Sequence, residues 1–168
     1  MSKKGKNKGS RFEREICKSL SLWISEGRKK DLFWRSAMSG GRATVFQKKG
    51  ELLKNQSGDI SSISQEGMCL TNALYIECKF YKNLQLSSFF LNRKGNLYKF
   101  WKETIRQANI YKKIPFLIAK QNNQKTILLT TQKINKFLHV KVRFRKILIN
   151  SNTLIFVFED ILKNTTFK

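Results

Sequence analysis

The 168-residue chain has one histidine, one proline and eleven acidic side chains, and each scarcity removes something. A single histidine, His139, excludes hydrolytic centres built on histidine clusters and argues against a Ser-His-Asp triad. Aspartate occurs only at Asp31, Asp59 and Asp160, so a bound cation has few carboxylates to choose from. The three cysteines, Cys17, Cys69 and Cys78, share no C-x-x-C spacing. That argues against a zinc site or a disulfide framework, and for reduced thiols in a cytoplasmic setting. No apolar run approaches the roughly 20 residues that cross a bilayer. The basic N-terminus lacks the apolar segment of a secretory signal, so no membrane partner is expected.

What is abundant is positive charge. Lys and Arg number 34 against 11 Asp and Glu, a formal net charge of +23. Self-repulsion at this level destabilises a compact state. The natural counterpart is a polyanion, and duplex nucleic acid carries one charge per roughly 1.7 Å of axis. Hydrophobic residues make up 40% of the chain, enough for one buried core at this length.

Periodicity divides the chain. Residues 1–10 (MSKKGKNKGS) read as a flexible basic arm carrying Lys3, Lys4, Lys6 and Lys8. Residues 11–26 read as a helix: Phe12, Ile16, Leu20 and Trp23 recur at helical spacing, and Gly27 ends it. With Phe12 at 0°, Ile16, Leu20 and Ile24 fall at about 40°, 80° and 120°. Glu13 falls at about 100°, inside the apolar stripe, and Glu15 at about 300°, outside it. A carboxylate on a core-facing side is costly without a partner or a metal. A short strand over 32–34, a long loop over 37–58 and a strand over 58–64 follow, with a turn around Gly67. ALYIECKF (73–80) is the clearest strand, with Tyr75, Glu77 and Lys79 on one face and Leu74, Ile76, Cys78 and Phe80 on the other. A helix over 96–113 stops before Pro115, and strands follow at 115–120 and 126–131. Beyond a possible short helix at 132–138, segments 140–149 and 153–158 read as late strands or a hairpin. In the first of these, Lys141, Arg143 and Arg145 alternate with apolar residues along one strand face. The expected fold is a single α/β domain, a mixed central sheet flanked by helices. Its core spans about 11–131, with a β-rich C-terminal extension over about 132–168.

The pattern that carries chemistry is Gly58-Asp59, eighteen residues wide of Glu77-Cys78-Lys79. Phosphodiester hydrolysis needs a cation on the phosphate, an activated water and a stabilised leaving oxygen. Mg²⁺ takes oxygen ligands, usually one or two protein carboxylates among them. Asp59 and Glu77 on adjacent strands suit that demand, with the Cys78 carbonyl as a backbone ligand. Lys79 points to the same face as Glu77 and is placed to orient or help deprotonate the water. An isolated E-x-K on a strand is often only a solvated ion pair. Here the scarcity of acids, a second carboxylate after a glycine, and the inward Glu13 set it apart.

Read together, KGSRFEREI (8–16), SGGR (39–42), Gly58-Asp59, IECK (76–79) and Arg106-Gln107-Ala108 resemble the PD-(D/E)XK nuclease superfamily, more closely archaeal-type Holliday-junction resolvases and small phage-encoded endonucleases. The resemblance runs from about residue 8 to 120. It implies a restriction-endonuclease-like core and Mg²⁺-dependent cleavage, with Mn²⁺ as a substitute. Asp59, Glu77 and Lys79 match the motif residues, Glu13 the helical glutamate of the metal site, Ser39 an assisting loop serine, and Gln107 a supporting glutamine. The implied substrate is branched duplex DNA, cut by a homodimer or higher homo-oligomer in the cytoplasm, that of the host if the source is a phage. Phosphate contacts are expected from the basic arm, Arg11, Arg35, Arg42, Lys48, Lys49, Lys141, Arg143 and Arg145. Gly58 stands where the motif has proline, the 37–58 loop is longer than in compact resolvases, and the last 45 residues match nothing in the pattern. A site-specific or homing-type endonuclease on the same fold, and a non-catalytic nucleic-acid-binding protein, are the alternative readings.

Overall fold

The computed structural model describes residues 3–36, 57–143, 146–149 and 152–167. Helix α1 (Lys3–Ile24) leads into β1 (Phe33–Arg35). After residues 37–56 come β2 (Ile60–Ser62), α2 (Met68–Ala73), β3 (Leu74–Tyr81), α3 (Leu86–Asn92) and α4 (Gly95–Ile110). Strands β4 (Ile114–Gln121) and β5 (Ile127–Thr131), a 3₁₀ turn (Gln132–Lys136), β6 (Leu138–Val140), β7 (Lys146–Leu148), β8 (Thr153–Val157), α5 (Phe158–Asn164) and β9 (Thr165–Phe167) complete the order.

The central sheet has the order β3-β4-β5-β8-β7. Strands β3 and β4 are parallel, with Glu77 opposite Leu117, and the other pairs are antiparallel. A parallel pair needs a crossover, and α3 with α4 supplies it. Strand β4 is buried on both faces, as its unbroken apolar run requires. Phe116 and Ile118 join the core shared with α1 (Phe12, Ile16, Leu20, Trp23) and α5 (Phe158, Ile161). Leu117 and Ala119 join the core under α3 and α4 (Phe89, Leu97, Trp101). Helices thus cover both faces, and the mixed α/β architecture expected from periodicity is the one observed.

Several expectations need correction. Residues 3–10, expected to be a flexible arm, continue α1 toward the N-terminus. No proline interrupts them, lysine is a good helix former, and Lys8 Nζ donates to Asn122 Oδ1 (2.5 Å) across the fold. At its other end α1 turns out through left-handed Glu26 (φ +51°) and Gly27 (φ +87°), close to the expected stop. The turn around Gly67 is followed by α2, and α4 ends at Ile110, short of 113. Lys141–Arg143 are not in a strand: β6 ends at Val140, and the N–H groups of Lys141 and Val142 turn to the Asn164 carbonyl (2.7 and 3.4 Å). The central sheet continues past residue 131, the expected end of the core, because β8 pairs with β5. The C-terminal segment also carries α5, which the strand-like run before it obscured, and Trp23 Nε1 donates to the Thr165 carbonyl (2.9 Å).

Candidate metal and catalytic centre

The site forms at the edge of β3 that faces away from β4. There Gly58 bridges to Ile76 in parallel fashion, and the Asp59 N–H donates to the Ile76 carbonyl (2.8 Å). Gly58 sits at φ +86°, and a Cβ at this position would stand 2.4 Å from the Ile76 carbonyl oxygen. Only glycine permits both this backbone and this approach. The Asp59 carbonyl accepts the Ser36 N–H (2.8 Å), which ties β1 to the same point.

Asp59 is 8% exposed. Its Oδ2 accepts the Cys78 N–H (2.8 Å). Burial first, then the nearby Glu77 charge, raise the Asp59 carboxyl to about 7, against the opposing pull of Lys79 and the Cys78 N–H. In a strand, the N–H and C=O of one residue lie on the same side. The Cys78 carbonyl therefore also faces the open edge, beside Asp59.

Across from it, Glu77 Oε1 accepts from Lys79 Nζ, and Tyr75 Oη donates to Glu77 Oε2 (3.5 Å). All three residues share one face of β3, as the alternation predicts. Burial pulls the Lys79 ammonium down, but the charges of Glu77 and Asp59 and the bond to Glu77 outweigh it, and the net shift is upward. Lys79 is thus held charged. Its Nζ also lies 5.8 Å from the centre of the Phe100 ring on α4.

The helix phase separates the two N-terminal glutamates as expected. Glu13 points inward and is held by Arg35 Nε of β1. Glu15 pairs with Arg11 on the solvent side (3.0 Å). Glu13 therefore lies close enough to raise Asp59 slightly, yet its carboxylate is committed to a guanidinium. Among the described residues, no three His, Cys, Asp or Glu side chains are grouped tightly enough to hold a metal. The donor set that fits a hard cation is two carboxylates and one carbonyl: Asp59, Glu77 and Cys78. A buried carboxyl whose proton affinity is raised by a second carboxylate is a group that a cation would relieve.

One link from Gln107 toward the site runs through a neighbour. Gln107 Nε2 donates to Glu103 Oε1 (2.9 Å), and Glu103 also accepts from Arg106. The Arg106 bond chiefly, with help from Gln107, holds Glu103 near 2, and the Lys79 charge adds to this. Arg35 and Arg11, expected on phosphates, are engaged in the ion pairs above, and Lys141 lies 3.8 Å from Glu26. Lys8 rests over the Phe80 ring (4.2 Å), and Arg143 is exposed. Ser39, Arg42, Lys48, Lys49 and Arg145 lie outside the described residues, and the side chains of Lys3, Lys4 and Lys6 are not described.

Sequence reasoning missed Tyr75, Glu103, Tyr111 and Lys113. Tyr75 stacks on Tyr111 (5.9 Å between centroids), and strand alternation had already placed it on the Glu77 face. Glu103 carried a signal too, four residues before Gln107 on one helix. Lys113 had none. It is buried just before β4, where Nζ donates to Ser57 Oγ (2.8 Å) and to the Thr71 carbonyl, and burial lowers it to about 8.

A family model described as "Phage putative PDDEXK endonuclease" matches residues 4–166, and the chain belongs to that family. No curated protein and no solved structure gives a significant match.

Proposed function

We propose that this PDDEXK endonuclease family member is a divalent-metal-dependent deoxyribonuclease whose reaction centre is Asp59, Glu77, Cys78 and Lys79. The observation that carries this reading is the convergence of Asp59 on the Glu77-Cys78-Lys79 edge, with a buried carboxyl clamped by the Cys78 N–H.

Asp59, Glu77 and the Cys78 carbonyl would hold the cation, Mg²⁺ or Mn²⁺. When bound, it supplies charge neutralisation at the scissile phosphate and lowers the cost of ionising water. The protein's own groups do the rest. Asp59 is fixed by its bond to Cys78 N–H, so its second oxygen is directed rather than searching. Tyr75 and Lys79 hold Glu77 from either side along the strand. The Lys79 ammonium orients a water toward the phosphate and stabilises the charge that develops on the phosphate oxygens. Arg35 keeps Glu13 from adding a third uncompensated negative charge beside Asp59.

Branched duplex DNA is the substrate we favour, cut by paired protomers, because a symmetric junction needs two incisions. Support for this finer reading is the resemblance at 8–16, 39–42, 58–59, 76–79 and 106–108. The test is a cleavage panel of four-way junction, nicked and linear duplex with Mg²⁺, Mn²⁺ or EDTA, using the full chain. Wild type should cut with metal only, and the junction preferentially. Asp59→Asn and Lys79→Ala should each lose at least a hundredfold in rate. Intact DNA in every metal lane would leave a binding protein, and normal cutting by Asp59→Asn would displace the proposed centre. A single discrete cut in linear duplex would favour a site-specific enzyme.

A further inference from the structure

Beyond the catalytic edge, β3 and β4 end together, with Tyr81 opposite Gln121. A pocket of about 440 Å³ opens there, lined by Asn83, Gln85 and Gln121 with Gln124, Leu86 and two serines. Tyr81 lies two residues past Lys79, about 7 Å along the strand. Asn83 lies within about 14 Å of Lys79 even for a fully extended chain.

The chemistry of this pocket differs from the rest of the surface. In a chain with 34 Lys and Arg among 168 residues, none of the described residues that line it is charged. A phosphate subsite would be expected to recruit cations. The amides are also oriented. Gln121 Oε1 accepts the Leu84 N–H (2.8 Å), Gln85 Oε1 accepts the Asn96 N–H (3.0 Å), and Asn83 Oδ1 accepts the Gln85 N–H (2.8 Å). A backbone N–H can only face the amide oxygen, so each bond fixes which end of the amide is occupied. The three –NH₂ groups make no hydrogen bond among the described residues. With Asn83 and Gln85 exposed and Gln121 half-buried, these donors are open to an incoming acceptor.

We infer that this pocket is a nucleobase subsite, reading the acceptor edge of a base a short distance from the cut. Guanine (O6 and N7) and thymine (O4) present acceptors, whereas cytosine presents a donor, and adenine a donor beside an acceptor. Leu86 supplies an apolar wall for the base. The subsite rests on the proposed nuclease reading for its purpose, but its binding chemistry can be tested without cleavage.

The experiment is selection of bound DNA from randomised duplex and single-stranded pools, in EDTA, with full-length wild type and Gln121→Glu. Glutamate keeps the oxygen that accepts the Leu84 N–H and replaces the –NH₂ donor with an acceptor. Wild type should enrich guanine or thymine at one position by about fivefold or more. Gln121→Glu should shift that position toward cytosine or adenine and leave the others unchanged. Gln85→Glu, which keeps the Asn96 bond, serves as the second variant should the first fail to fold. No positional enrichment, or the same enrichment in wild type and a folded variant, overturns the subsite. So does a loss of affinity spread evenly over all sequences, which marks a phosphate contact. Loss of metal-dependent cutting in the earlier panel bears on the nuclease reading alone.

Discussion

Asp59 shows how one residue can serve a site at the expense of the fold. Its carboxyl is raised to about 7, so the folded protein binds this proton more tightly than the unfolded chain does. Between pH about 4 and 7 the folded state therefore loses stability as pH rises. In EDTA, Asp59→Asn should gain stability over wild type across this range and hold the gain above it. About 1 kcal/mol is the expected minimum and about 4 the ceiling, from three pH units at 1.36 each. Urea melts at pH 5 and pH 8 measure it, and an advantage that shrinks toward pH 8 would refute the assignment. Gly58 makes a second prediction. Proline names the family motif at this position, but φ +86° is closed to proline. Gly58→Pro should disable cutting rather than restore the motif, and Gly58→Ala should cost about 1–3 kcal/mol because its Cβ meets the Ile76 carbonyl. Full activity in either variant would show that Asp59 is positioned by something else.

At the scale of elements, the site is a junction of α1, β1, β3 and the segment before β2. The Glu13–Arg35 pair joins the first two, with side chains 15% and 30% exposed. Removing one partner leaves the other partly buried and alone. Arg35→Gln should cost about 1–2 kcal/mol after allowance for solvent screening, and adding Glu13→Gln should recover part of that. A double-mutant cycle by chemical denaturation reads the coupling, and strictly additive costs would deny it. Elements were legible where local pattern and burial agree. Strand β3 alternates over eight residues with one face in the core, so both its existence and the sharing of a face by Tyr75, Glu77 and Lys79 could be read directly. The phase of α1 likewise separated Glu13 from Glu15. What stayed hidden depends on distant partners. Lys8 is tied across the fold to Asn122, Arg35 is claimed by Glu13, and Lys113 is buried by Ser57 and Thr71. Helix α5 is seven residues long and follows a β-branched run, which leaves periodicity too little to work on.

For the molecule as a whole, the charge excess is not compensated internally. Six of the eleven acidic side chains, Glu13, Glu15, Glu26, Glu66, Glu77 and Glu103, already have basic partners among the described residues. The remaining acids cannot offset 34 cations, so counter-charge must come from outside. Affinity for duplex DNA should fall at least a hundredfold between 50 and 200 mM salt, following the release of counterions from several phosphates. Fluorescence anisotropy in EDTA gives the slope, and a decline under tenfold would mean that few phosphates are engaged. The bond from Trp23 to the Thr165 carbonyl spans 142 positions and has a temporal consequence. At about 5–20 residues per second, the ribosome adds Thr165 roughly 7–28 s after it adds Trp23. Through that interval the buried side of α1 lacks its β9 neighbours, so chaperone capture of the nascent chain should concentrate there and fall once β9 docks.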